Sequence, residues 1–374
     1  MAFLDSILGI RAMILMGPTV PLPVSAEVSD ALESVEVTSD SSRGDGFQIT
    51  FKLEKGSTLE YNMLSGGRVE PFTRVVLAVA IGAIPEVLID GIITNHQLAP
   101  SNNPGESKLT VTGSDVSVML DLEEKNEQHP NQPDWVIVNK LLANYAQYGL
   151  VPQATPTSDV PIEFLRIPQQ NDTDLGFIRS AAERNGYVFY IEPVTIGVNT
   201  AYWGPENRLS LPQSALTMDM GAATNVKQLS FANDALAPVA TEGSFLEPIT
   251  KTTIPIPPLP PLKIPPLSAS PTAARRTVLL RNSANQNPIQ AAATAVSTST
   301  SAPDAVTGSG EVDIARYGKV LRARKLVGVR GVGLSYDGFY YVRSVTHRIQ
   351  PGSYTQSFTI SREGTGTLTP AVIS

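Results

Sequence analysis

Three histidines, His96, His129 and His347, are the only imidazoles in a chain of 374 residues that has no cysteine. Metal binding or nucleophilic catalysis needs such groups clustered, as an i, i+4 pair on a helix or beside an activated serine. These three are far apart in sequence and stand in no such motif, so each is read as structural. No catalytic, cofactor-binding or metal-binding residue is assigned. "NDTD" (Asn171–Asp174) brings two carboxylates together, but it stands where a helix should start, and capping accounts for it. A calcium loop would need further oxygen ligands and a glycine at its sharp turn. "GVRGVG" (Gly328–Gly333) lacks the third glycine and the following helix of a phosphate loop. Its glycines suit a bend or bulge where backbones approach closely. "PLPPLK" (Pro258–Lys263) would fit an SH3-type groove, although a stiff spacer explains it as well. Asn171-Asp-Thr is formally a glycosylation triplet, which means little without secretion.

The elements that would position these groups are mainly strands. Thirty prolines, 28 glycines and only 17% charged residues favour strands, turns and linkers over helical bundles. The length exceeds what one core usually supports, so two or more domains are expected. A net charge of −7 argues against general nucleic-acid binding, which needs a basic surface. Without cysteine there is no disulfide framework. Phe3–Met16 is apolar but carries Asp5 and Arg11, is too short to span a bilayer, and lacks the pattern of a secretory signal. Synthesis in the cytoplasm, with no membrane anchor, is expected.

Phe47, Ile49, Phe51 and Leu53 alternate with Gln48, Thr50, Lys52 and Glu54, the period of a half-buried strand. Val35–Thr38 upstream could complete a hairpin across the turn in "SSRGDG". The apolar runs Val75–Ile81 and Val87–Ile93, with Lys108–Thr112, add strands and suggest a small barrel or sandwich over residues 20–113. Helical spacing follows in Val138, Leu141, Leu142 and Tyr145, with Gly149 as a cap. A second helix is expected from Asp172 to Asn185-Gly186, then a strand at Tyr187–Ile191. Val226–Phe231 resumes β character. "IPIPPLPPLKIPP" (Ile254–Pro266), with seven prolines in thirteen residues, must be extended, and the low-complexity run Ala291–Pro303 could start as a helix. Strands are expected to resume at Tyr317 and end near Ser361.

Three segments resemble one family in order and spacing. "PQQNDTDLGFIRSAAERNGYVFYIEP" (Pro168–Pro193), "VLIDGIITNHQLAPSNNPGESKLTVTGSDVSVMLDLEE" (Val87–Glu124) and "GKVLRARKLVGVRGVGLSYDGFYYVRSVTHRIQPGSYTQSFTISREG" (Gly318–Gly364) are similar to segments of phage late control protein D and related baseplate hub proteins. The resemblance implies an α+β, mostly β fold. Its expected divisions are an N-terminal segment (1–17), a first β-barrel (18–113), an α/β domain (114–215), a second β-barrel (216–248 and 306–365), a proline-rich insertion (249–305) and a tail (366–374). It also implies a homotrimer in a contractile injection system. Two similar barrels per chain would form a pseudo-sixfold ring between a hexameric inner tube protein and a trimeric spike protein, with baseplate wedge proteins as further candidate partners. No lysozyme-like or spike-repeat domain is recognised after the hub segments.

Charge is unevenly distributed. Glu27–Glu60 holds eight acidic and three basic residues, Glu311–Glu363 nine basic and four acidic ones. Glu33, Glu36 and Glu54 on one side, and Arg316, Arg322 and Arg324 on the other, are therefore candidates to face one another across a trimer seam. Two other classes stand beside this reading. A cell-envelope hydrolase would need an acidic pair in a cleft with separated pKa values. A carbohydrate-binding module would need an exposed aromatic platform, for which Tyr202 and Trp203 are the adjacent pair.

Overall fold

The computed structural model describes residues 10–53, 69–82, 84–103, 105–164, 166–246, 252–256, 261–280 and 288–368. Alternation in the sequence becomes alternation in burial. Phe47, Ile49, Phe51 and Leu53 are buried, and Gln48 and Lys52 face solvent. The fold is α+β and mostly β.

Six strands form the first barrel: β1 (Ile10–Gly17), β2 (Leu32–Asp40), β3 (Gly46–Leu53), β4 (Arg74–Ile81), β5 (Ile84–Ala99) and β6 (Ser107–Asp115). They lie in the spatial order β1-β4-β5-β6-β3-β2, all antiparallel. Their shared core includes Val37, Ile49, Phe51, Val79, Ile93 and Val111.

The middle segment holds β7 (Glu124–Gln128), α1 (Asp134–Ala143), β8 (Leu150–Ala154), β9 (Gln169–Thr173), α2 (Asp174–Asn185), β10 (Val188–Thr195) and β11 (Val198–Gly204). α2 starts two residues after the position expected. Thr173 is its cap, with Oγ1 accepting from the Gly176 amide at 3.1 Å, while Asp172 remains on β9 opposite Lys125. Gly149 (φ 72°) and Gly186 (φ 65°) end helical turns in the left-handed region, where a side chain is costly.

The second barrel begins with β12 (Gln213–Thr217) and β13 (Val226–Asn233). An insertion follows, with β14 (Val239–Leu246), β15 (Thr253–Ile256), β16 (Arg276–Leu279) and α3 (Pro288–Ser301). The barrel then resumes with β17 (Val306–Asp313), β18 (Leu326–Arg330), β19 (Gly338–Gln350) and β20 (Ser353–Arg362). β17 starts at residue 306, the boundary expected for the second barrel and earlier than the strands expected from Tyr317, and Ile314–Tyr317 is a helical turn capped by Asp313. The glycines of "VTGSGEVD" carry no apolar signal. Its neighbours supply the packing instead, since ideal Cβ atoms on Gly308 and Gly310 would lie 2.7 Å from the Phe231 ring and 2.6 Å from the Phe358 ring. Among the described residues β14 pairs only with β15 and β16, so the inserted sheet starts before residue 249.

The strand order is β12-β18-β19-β20-β17-β13. Numbered within each barrel, both follow first-fourth-fifth-sixth-third-second. The fifth strands even share a register shift against the sixth, between Ile93 and Asn95 in β5 and between Val342 and Ser344 in β19. The barrels differ at the first strand, which is antiparallel to the fourth in one and parallel in the other. β2 pairs antiparallel with β19, from Val35 opposite Ile349 to Asp40 opposite Ser344, and joins both barrels into one 13-stranded sheet.

Candidate functional site: the junctions that orient the barrels

Buried charged side chains converge where modules meet. Arg324 follows Leu321 and Ala323 into the interior, and its guanidinium forms a two-pronged pair with Asp45 of the first barrel. Nη2 also donates to the Asp40 carbonyl at 2.6 Å, and the guanidinium lies 4.4 Å above the Tyr190 ring of the middle segment. Asp45 is tied in turn to Asp115, whose carboxylate accepts from the Asp45 amide at 3.0 Å. Burial opposes the Arg324 charge, but Asp45 beside it more than offsets this and holds the guanidinium protonated. Arg324 has φ 63°, an uncommon conformation for a residue with a side chain. One residue thus touches all three modules.

A second junction ties the first barrel to the middle segment. Arg74 at the start of β4 pairs with Asp90 on β5 through 2.8 and 2.7 Å bonds and donates to the Tyr148 and Thr19 carbonyls. Asn199 on β11 completes the set, donating to Asp90 at 2.9 Å. Arg74 and Asp90 are both buried.

The third junction anchors the insertion. Asp304 accepts from Arg343 at 2.6 Å, from Lys263 at 3.0 Å and from Ser361 at 2.6 Å, with Arg208 at 3.5 Å. Glu206 pairs with Arg343 and Arg208, and Glu363 accepts from Arg208 and the Ser268 amide. Burial raises the cost of the Asp304 charge, yet Lys263, Arg343 and Arg208 outweigh it and keep the carboxyl well below the usual range. The cleft here, between α2, α3 and the second barrel, therefore has Asp304 as a fixed anion, unsuited to donating a proton.

The residues singled out in the sequence fall in separate places. His96 is exposed on β5; its Nδ1 is 3.3 Å from the Val69 carbonyl oxygen. His129 is buried against Phe177. His347 is buried with Nδ1 3.0 Å from the Tyr354 hydroxyl, and burial, helped by Arg322, pushes its pKa down to about 3. Among the described residues no group of three or more histidines and acids could hold a metal. Gly331 and Gly333 have φ 85° and 96° at a tight turn, and Gly331 lies so close to the Met218 carbonyl that an added Cβ would sit 1.9 Å from its oxygen. Trp203 is fully buried with its Nε1 donating to the Ile178 carbonyl. This removes the aromatic platform expected at Tyr202 and Trp203, because the indole completes the core of the middle segment.

Of the interface candidates, Glu33 pairs with Lys108 at 2.8 Å, Glu36 with Arg348 at 2.9 Å and Arg322 with Glu86 at 3.1 Å, all within the chain. Arg324 is buried on Asp45, Arg316 is exposed, and Glu54 lies outside the described residues. Two pairs, Glu36–Arg348 and Asp45–Arg324, join the acidic and basic stretches within one chain. Reasoning from charge counts missed Asp45, Asp90, Arg74, Arg208 and Asp304. For Asp90, between Ile89 and Ile92, and for Arg74, at the head of an apolar run, the signal was an ion against apolar neighbours; Asp45, Arg208 and Asp304 stand in polar stretches that carry none.

No protein-family model and no curated protein sequence matches the chain. Solved structures do. A tail protein from Neisseria meningitidis superposes with a TM-score of 0.62 at 14% identity, covering 95% of this chain and 97% of that one. A 43 kDa tail protein of prophage MuSo2 from Shewanella oneidensis gives 0.61 at 13% identity, over 94% and 99%. An Escherichia coli component of the type VI secretion system, described as structurally similar to the bacteriophage T4 tail proteins gp27 and gp5, gives 0.55 at 12% identity, over 92% and 77%. The chain thus shares the fold of these tail proteins along nearly its whole length.

Proposed function

We propose that this protein is the structural hub of a contractile injection baseplate. It is made in the bacterial cytoplasm and built into a phage tail-like particle as a homotrimer. Each chain contributes two barrels, giving a pseudo-sixfold ring that receives a hexameric inner tube on one side and a trimeric spike on the other. Wedge proteins would bind the periphery. The observation that carries this reading is the repeated strand order of the two barrels, joined in one sheet. A head-to-tail ring of such chains presents twice as many similar units as it has subunits. The function is geometric, and no catalytic step is assigned. Class averages of the purified protein by electron microscopy test it: threefold rings with six spokes are expected, and molecules that remain single at every concentration overturn it.

A further inference from the structure

The in-chain seam supplies a template for the contact between chains. At that seam the second strand of barrel one, β2, lies on the free edge of the fifth strand of barrel two, β19. Repeating this operation carries β13, the second strand of barrel two, onto the second half of β5, the fifth strand of barrel one in a neighbouring copy. Both edges are open among the described residues. β13 pairs only with β17, and residues 95–99 of β5 pair only with β6.

Burial distinguishes the used edges from the open ones. At the in-chain seam Val345, His347 and Ile349 are buried, as are Val35 and Val37 opposite them. In the counterpart segments all of Thr94–Ala99 is exposed, and Ser230, Ala232 and Asn233 are exposed on β13. A strand tail bare on both faces with an unpaired edge is a template for another chain.

The register follows from the pairings. Ile93 lies opposite Gly113 and Val342 opposite Ile360, each just before the shared register shift, so Leu98 corresponds to His347. Phe47 lies opposite Val37 and Gly113, Gly308 opposite Phe231 and Ile360, so Phe231 corresponds to Val37. His347 lies opposite Val37. We infer that β13 of one copy pairs antiparallel with the end of β5 of the next, with Phe231 opposite Leu98 and Ser230 opposite Ala99. This contact rests on the ring proposed above and adds its location. It is also uncharged where the in-chain seam has the Glu36–Arg348 pair, because Ser230 and Ala99 occupy the corresponding positions.

The lack of native cysteine makes a direct test possible. Directly opposed residues on antiparallel strands have Cβ atoms about 4.5–5.5 Å apart, near the reach of a disulfide. Chains carrying Leu98→Cys and chains carrying Phe231→Cys are mixed, assembled, and oxidised under mild conditions. A covalent dimer is expected in the mixture, with none from Leu98→Cys mixed with Lys227→Cys, four positions out of register. Native mass spectrometry of the same samples separates the failures. Trimers without the disulfide overturn this seam and leave the hub reading standing; persistent monomers overturn both.

Discussion

Replacing Arg324 by methionine removes the cation paired with Asp45 while keeping most of the side-chain volume. The two side chains are 5% and 2% exposed, so water cannot take over from the guanidinium. Asp45 would keep the 3.1 Å bond from the Asp40 amide but face the Asp115 carboxylate, whose charge disfavours its own. Breaking a buried pair from one side costs about 3–5 kcal/mol, a large share of the roughly 5–15 kcal/mol that holds a typical domain folded. Removing both charges, with Arg324→Met and Asp45→Asn together, takes away the orphaned anion. The double variant is therefore expected to be more stable than Arg324→Met alone. Guanidinium chloride unfolding of wild type, both single variants and the double one completes the cycle. A cost below about 1 kcal/mol for Arg324→Met, or additive losses in the double variant, would refute the assignment of this pair as the junction of the modules. The same logic applies to charge reversal: Arg324→Glu is expected to unfold the chain rather than weaken assembly in a salt-dependent way.

His347 is neutral when folded, with its pKa pushed down to about 3, against about 6.5 in the unfolded chain. The unfolded state therefore binds the extra proton between these values, and stability falls as pH drops through that window, by at most about 1.4 kcal/mol per pH unit. His347→Gln is expected to flatten this part of the profile in unfolding titrations from pH 7 to pH 4; an unchanged slope refutes it. Asp304 has a depressed pKa, so its contribution is present above the unfolded value and disappears as pH falls through its folded one, in a more acidic range. Asp304→Asn is expected to cost about 3 kcal/mol and to speed proteolysis of the insertion, because Lys263 loses its ion pair and keeps only the bond to the Ala302 carbonyl; an insertion cleaved at the wild-type rate contradicts the anchoring role.

Local patterns were legible in the sequence wherever periodicity matched burial. Phe47–Leu53 alternated because one face fills a core, and Gly149 and Gly186 marked helix ends because their backbones are left-handed. β17 was not legible, since its glycines exist to admit Phe231 and Phe358 from neighbouring strands and carry no pattern of their own. Nor were the junctions. Asp45 is separated by 279 residues from Arg324, and Arg208 by 96 from Asp304, so no short window contains both partners of these two; Arg74 and Asp90 are only 16 residues apart, but their bond depends on the pairing of β4 with β5. Charge counting marked two stretches of opposite sign. It could not tell a contact within a chain from one between chains, because composition has no topology.

That distinction bears on how such a protein would work. Buried ion pairs contribute little net stability against well-packed apolar alternatives, so the two whose partners lie in different modules, Arg324 with Asp45 and Asp304 with Lys263 and Arg208, are poorly explained as a means of strengthening the fold. They penalise any other relative placement of the modules, since a small rotation would strand a charge out of reach of its partner. An adaptor between cylinders of fixed symmetry needs such intolerance. If each chain holds its own two barrels at the angle the ring requires, the seam between chains need only repeat it, and neutral residues on an open strand edge suffice. Rigidity would then be written inside the chain, in buried charges, and closure outside it, in backbone pairing.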